Sequence, residues 1–145
     1  MSNNSMKQDQ VFYASSERST KKSFIVNLNE LLYLKIKNEN EFIFTLKNDV
    51  EIKIKEQNIK ELEKSLNQLS KEYGYKNYLD IFLKSKQEIT NQNNETEVFD
   101  VIISIPNIKV VFDLEDEADG CIVMFENNEN ITLSDTTENI YKKIL

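Results

Sequence analysis

The chain has 145 residues, with 18 basic and 25 acidic side chains and a net charge of −7. That balance argues against nonspecific binding to nucleic acid or to an anionic membrane. With no His, one Cys and two Gly, there is no imidazole base, no thiolate zinc cluster and no glycine-rich phosphate loop.

Residues 1–22 are rich in Ser, Asn, Gln and Lys and show no sustained apolar period. They read as a flexible polar N-terminal arm ahead of a single domain over residues 23–145. The arm lacks the apolar centre of a signal peptide, and no apolar run approaches the ~20 residues of a membrane span. A lone Cys121 fits a reducing compartment, so a cytoplasmic location is expected, with no membrane partner and no cofactor. The abundance of Lys, Asn, Ile and Glu resembles the codon bias of an AT-rich genome, as in low-GC bacteria and their phages.

From Ser23 the pattern changes. Phe24 to Leu28 is a short apolar stretch. Leu32, Leu34 and Ile36 alternate, as do Phe42, Phe44 and Leu46 after the turn signal at Asn38–Asn40, and Ile52 and Ile54 after a second at Asn48–Asp49. This predicts a three-stranded antiparallel meander with one buried face. A helix follows, with Asn58 and Glu61 at capping-box spacing, an apolar stripe at Ile59, Leu62, Leu66 and Leu69, and Gly74 as its end. Tyr78, Leu79, Phe82 and Leu83 predict a connector helix within about 75–90, and Asn91 to Glu97 a polar loop.

The pattern then returns. Val98 to Ile105 and Ile108 to Leu114 read as strands, followed by an acidic turn at Glu115 to Gly120, a strand at Cys121 to Phe125, and a short strand through Ile131 and Leu133. Ser134 or Asp135 is placed to cap a last helix carrying Ile140, Tyr141 and Ile144. Leu28 and Leu31 match Ile105 and Ile108, Phe42 matches Cys121, Ile52 matches Ile131, and Leu62 matches Ile140. The fold class expected is therefore α+β: antiparallel β-meanders each followed by a helix, a pseudo-duplicated strand–strand–strand–helix unit (about 23–72 and 98–145) with one extra connector helix. One meander with one helix buries too little to stand alone, whereas two copies can share a core.

The segment Glu115 to Glu126 resembles a calcium EF-hand loop. Glu115, Glu117 and Asp119 stand at positions one, three and five, Gly120 at six and Glu126 at twelve. Its flanks read as strands, which favours a hairpin with an acidic tip, so a calcium-binding module is the weaker alternative. Between Glu95 and Glu138 there are twelve acids and one base, Lys109. Asp113, Glu115, Asp116, Glu117, Asp119, Glu126 and Glu129 are thus the candidate acidic surface for a basic protein partner. Tyr73 and Tyr75, in or beside the connector helix, are candidate aromatic anchors, while Tyr78 and Phe82 read as core. Lys53, Lys55, Lys60 and Lys64 could form a basic strip, but interleaved Glu residues cancel it. No Ser has a His partner and no carboxylate pair sits at a distinctive spacing, so no enzyme is expected.

Phe24 to Leu66 resembles the opening of a LytTR-type DNA-binding domain, where a strand–turn–strand element precedes a capped helix. Ile105 to Leu145 is similar to that family's closing strands. The resemblance implies a basic, histidine-containing strand near Phe99 to Ser104, which here reads Phe-Asp-Val-Ile-Ile-Ser without one base. Two readings follow. The first is a non-enzymatic, acidic protein-interaction module, a phage- or mobile-element-encoded inhibitor or regulator that binds a basic surface on a partner, imitation of nucleic acid being one sub-case; direct nucleic-acid binding is not expected, and exposed meander edges suggest a homodimer. The second is a degenerate LytTR-like nucleic-acid-binding regulator.

Overall fold

The computed structural model describes residues 10–114 and 120–145. The chain is mixed α+β, with antiparallel sheets and two α-helices among the described residues. Strands β1 (Phe12–Glu17) and β2 (Lys22–Asn27) form a two-stranded ribbon. Strands β3 (Leu31–Lys37), β4 (Glu41–Leu46), β5 (Val50–Ile54), β6 (Phe82–Thr90) and β7 (Thr96–Ser104) form a five-stranded sheet in the order β5-β4-β3-β7-β6. Strands β8 (Ile108–Asp113), β9 (Cys121–Phe125) and β10 (Asn130–Leu133) make a third sheet. The helices are α1 (Ile59–Glu72) and α2 (Thr137–Ile144).

The five-stranded sheet is the middle layer, and it is buried on both faces. On one face Leu34, Ile36, Phe42, Phe44, Ile54, Phe82 and Ile102 pack under Tyr13 and Val26 of the ribbon and Leu62, Leu66 and Leu69 of α1. On the other, Leu32, Ile43, Leu83, Phe99, Val101 and Ile103 pack under Cys121, Val123, Phe125, Ile131 and Leu133, with Ile140 of α2. Alternation sends Phe42 and Phe44 one way and Ile43 the other, yet both sets are buried. The meander therefore has two buried faces rather than the one expected, because a layer covers each side.

Local chemistry explains most elements. The turns at Asn38–Glu39 and Asn48–Asp49 hold left-handed φ of 52°, 66°, 64° and 61°, a conformation Asn and Asp tolerate better than most residues. Asn58 caps α1 by accepting from the Lys60 amide. Glu61 does not complete a box; its carboxylate lies 3.4 Å from Lys64. Helix α1 ends at Glu72, and Gly74 takes φ 86°. Thr136, and neither Ser134 nor Asp135, caps α2 by accepting from Asn139. Ser134 instead donates to the Lys86 carbonyl of β6, and Asp135 accepts from Ser85 and Lys143.

Two expectations are corrected. The predicted connector helix is a single turn at Tyr78–Asp80 followed by strand β6. Tyr78 and Phe82 are buried, as read, but the apolar group at 78, 79, 82 and 83 fits a turn entering a strand as well as a helix. Nine residues of pairing with β7 decide the outcome. The stretch read as a polar arm contains β1, and Val11 and Tyr13 join the core.

Strand, 3-10 turn, three strands and helix follow one another from β2 to α1 and again from β7 to α2, the second run with a further 3-10 turn at Glu126–Asn128. The turns Leu28–Glu30 and Ile105–Asn107 end alike, with Leu31 at φ −73°, ψ 127° and Ile108 at φ −72°, ψ 128°. Each is followed by a break in register, between Leu31 and Tyr33 in one and Ile108 and Val110 in the other. The pairings differ. The first trio lies inside the five-stranded sheet, and the second forms its own. No helix among the described residues is long and apolar enough to cross a membrane.

Candidate nucleic-acid interface

The tip of the β1–β2 ribbon carries Arg18, Lys21 and Lys22, and folding brings it beside Lys55, which follows β5. Three acceptors make that juxtaposition. Glu17 takes the Lys55 amide at 2.6 Å and the Thr20 hydroxyl at 2.8 Å. Glu56, at φ 61°, takes the amide and hydroxyl of Ser19 at 2.9 and 2.7 Å. Gln57 takes the hydroxyls of Tyr13 and Ser15, each at 2.5 Å, and its amide donates to the carbonyls of Ser16 at 3.2 Å and Lys55 at 2.8 Å. Within the tip, the Lys21 amide closes onto the Glu17 carbonyl, with Lys21 at φ 60°. The ribbon is thus pinned to the loop between β5 and α1 by polar contacts spanning 37 to 44 residues of sequence.

The electrostatics of this end are local. The Lys55 amide, then the Thr20 hydroxyl, hold the Glu17 carboxyl below its ordinary range; the Ser19 amide and hydroxyl do the same for Glu56. Both carboxylates are charged at neutral pH, and their hydrogen bonds serve the ribbon's own backbone and hydroxyls. Arg18, Lys21, Lys22 and Lys55 are exposed and make no ion pair within 4.0 Å among the described residues. The four cations outnumber the two internally engaged carboxylates, and the Glu39–Glu41 turn lies beside them, the Gln57 backbone amide donating to the Asn40 carbonyl. Lys60 and Lys64 lie further along α1, and Lys64 faces Glu61.

Of the sequence residues assigned to a partner surface, the described ones do not meet in one patch. Glu115, Asp116, Glu117 and Asp119 lie outside the described residues. Asp113 pairs with Cys121 at the start of β9, while Glu126 and Glu129 follow Phe125 at its end. Five residues of strand separate the two groups, about 13 Å. Glu129 is engaged with the central sheet. A hydrogen bond that its protonated carboxyl donates to Asp49 raises its pKa, with burial and the charges of Asp49 and Glu51 adding to the shift. Tyr73 and Tyr75 are exposed just past α1, around Gly74. The flanks of the EF-hand-like segment are strands β8 and β9, and among the described residues no group of three metal-ligating side chains could hold an ion. Gly120 has φ 134°, and a Cβ there would stand 2.5 Å from the Leu133 carbonyl. The close passage of β10 therefore explains this glycine.

The stretch Phe99 to Ser104, where the resemblance implies a basic strand, belongs to β7, an inner strand of the middle sheet. Phe99, Val101, Ile102, Ile103 and Ser104 are all buried. Bases at those five positions would have no access to a phosphate; the one exposed position of the stretch is Asp100, an acid. The basic tip was missed because its four cations come from two stretches 33 residues apart in sequence. The one local signal was the run Arg18-Ser19-Thr20-Lys21-Lys22, placed in an arm.

No protein-family model matches the chain, and neither does any curated protein. Among solved structures the chain is similar to a LytTr DNA-binding domain of a methyl-accepting/DNA response regulator from Bacillus cereus. The likeness has 14% identity and a TM-score of 0.49, over 91% of this chain and 95% of that one. The exposed basic end runs against the expectation of an acidic protein-interaction module, with its inhibitor, phage and basic-partner readings, and against the expectation that nucleic acid is not bound. Among the described acids, Asp113 lies apart from Glu126 and Glu129, and those readings are withdrawn.

Proposed function

We propose that the chain is a non-enzymatic nucleic-acid-binding regulator of the LytTR-like pattern, and that the β1–β2 tip supplies its phosphate contacts. The observation that carries this reading is the convergence of Arg18, Lys21, Lys22 and Lys55 on one exposed end, held there by Glu17, Glu56 and Gln57. The element order supports it. The strand–turn–strand segment β3–β4 leads through β5 into the Asn58-capped helix α1, and β8 to β10 close the chain, as the resemblance implies. Residues 10–145 act as one unit in this reading, and the twice-used strand–turn–strands–helix order fits an internal duplication.

Charge along β5 adds orientation. Lys55 lies beyond one end of the strand, and Asp49, with Glu129, beyond the other. Six residues of extended chain, about 20 Å, separate them. Such an end-to-end asymmetry turns the basic end toward a polyanion.

Fluorescence anisotropy with a labelled duplex of random sequence, titrated across salt, tests the reading. Four phosphate contacts predict a log–log salt slope of about −3.6, a loss of roughly 100-fold in affinity between 50 and 200 mM salt. Replacing Arg18, Lys21 and Lys22 by Ala should reduce the slope by about 2.7 units while leaving the fold intact, since all three are exposed. Absence of binding at low salt, or an unchanged slope in the triple variant, refutes the assignment.

A further inference from the structure

A cleft of about 520 Å³ opens where β6 and β7 meet the start of α1 and the end of β10. Its floor is carbon, from Ile36 of β3, Ile102 of β7 and Ile59 of α1. Three lysines reach its rim, and two are already engaged. The Lys143 ammonium donates to Asp135 at 2.9 Å and to the Lys84 carbonyl at 2.6 Å. Lys84 lies 4.0 Å from Glu63 and sits over the Tyr78 ring at 5.6 Å. The third, Lys86, has no hydrogen bond or ion pair for its side chain among the described residues.

Directly across the β6–β7 pair from Lys86 is Asp100, which lies opposite Ile36 on its other side. Its carboxylate has no hydrogen bond or ion pair within 4.0 Å among the described residues, its charge reaching Lys84 only at longer range, and it stands more than the 4.0 Å of an ion pair from Lys86. Ile36, Asp100 and Lys86 thus form a row across three adjacent strands: apolar, negative, positive.

We propose that this cleft binds a small zwitterion with an aliphatic body, of the chemical class of the free aliphatic amino acids. The ligand carboxylate lies on the Lys86 ammonium, its ammonium on the Asp100 carboxylate, and its side chain on Ile36, Ile59 and Ile102. A ligand with one charge satisfies one partner and leaves the opposite charge beside it, repelling or unpaired. A zwitterion satisfies both and adds no net charge. The apolar floor supplies the remaining attraction, as in most small-molecule sites. The site is distinct from the basic tip and does not depend on it.

Calorimetry and thermal melting of the full chain without nucleic acid test the site, so that failure here and failure of nucleic-acid binding are separate results. The probes are L-leucine, 4-methylpentanoate, which lacks the ammonium, and 3-methylbutylamine, which lacks the carboxylate. Leucine should bind and raise the melting temperature, and each analogue should bind at least about 10-fold more weakly. Lys86→Gln should erase the preference for leucine over the amine, and Asp100→Asn the preference over the carboxylate. Both positions are exposed, so the melting temperature without ligand should not move. No binding of leucine up to about 10 mM overturns the proposal. Equal binding of all three probes, or discrimination unchanged in both variants, does so as well.

Discussion

The ribbon should depend on Gln57 more than on any apolar contact it makes. Gln57 is 8% exposed, and Gln57→Ala removes four side-chain hydrogen bonds at once. The partners differ in what they lose. The Tyr13 hydroxyl belongs to a side chain only 3% exposed, where burial already pushes its pKa up. Stranding it costs about 1–3 kcal/mol. Ser15, Ser16 and Lys55 lie nearer solvent and recover water, so each costs about 0.5 kcal/mol or less. The total is about 1–4.5 kcal/mol. That is a large part of the stability of a small domain but does not abolish folding. Urea unfolding gives the loss, and native-state hydrogen exchange shows where it falls. Amides of β1 and β2 should exchange faster, while those of β8 to β10 should follow the global change alone. Tyr13→Phe combined with Gln57→Ala should cost less than the sum of the two, by about 1 kcal/mol. A loss under about 0.5 kcal/mol in Gln57→Ala, with unchanged exchange in the ribbon, would refute the clamp.

Three further substitutions probe the other layers. Gly120→Ala must set a Cβ against the Leu133 carbonyl at a φ of 134°; a loss of about 2 kcal/mol in urea unfolding is expected. Phe125→Ala empties a fully buried site stacked on Tyr33 at 5.6 Å and should cost about 3–5 kcal/mol. Burial raises the pKa of Asp135, but hydrogen bonds from Ser85 and Lys143 outweigh it, and the net shift is downward. Its stabilising charge is therefore present above the unfolded carboxylate range and is lost as pH falls through the folded value. The deficit of Asp135→Asn should be full at pH 7 and vanish in acid. Glu129 has the opposite sign. Its pKa is raised by Asp49, so its contribution is present at low pH and lost as pH rises. Glu129→Gln should be more stable than the parent at pH 7, with the gap closing toward pH 4, as parallel urea titrations across pH would show.

Most of the meanders and both helices were legible because their signals are local. Asn38, Asn48 and Asp49 mark turns they can occupy, and Leu62, Leu66 and Leu69 repeat at the spacing of one helix face. The ribbon was illegible for a matching reason. Its inward residues Val11, Tyr13 and Val26 are separated by Ser and charged side chains, and what holds it is Gln57, 44 positions beyond Tyr13. The second buried face of β4 was hidden too, since alternation shows that Phe42 and Ile43 point apart but not that each side meets a layer. Strand β6 failed on ambiguity. Its four leading apolar residues suit a turn and strand as well as a helix, and its register against β7 arises only once the turn at Asn91–Glu95 closes.

Charge shows the same divide between sum and arrangement. A net charge of −7 describes the field far from the protein, and by that measure a polyanion is repelled. At about 0.1 M salt, exposed charges more than ~10 Å apart are largely screened from one another. The basic tip and the Asp49–Glu129 end are separated by about twice that distance. A phosphate at the tip therefore meets Arg18, Lys21, Lys22 and Lys55, along with two carboxylates already engaged by the ribbon and the Glu39–Glu41 turn beside Gln57, and little of the Asp49–Glu129 acid. Counting acids between Glu95 and Glu138 could not reveal this, because the fold sends Asp113 to one end of β9 and Glu126 and Glu129 to the other. The relevant quantity is charge per patch, and patches exist only after β1 and β2 have docked against the loop that follows β5.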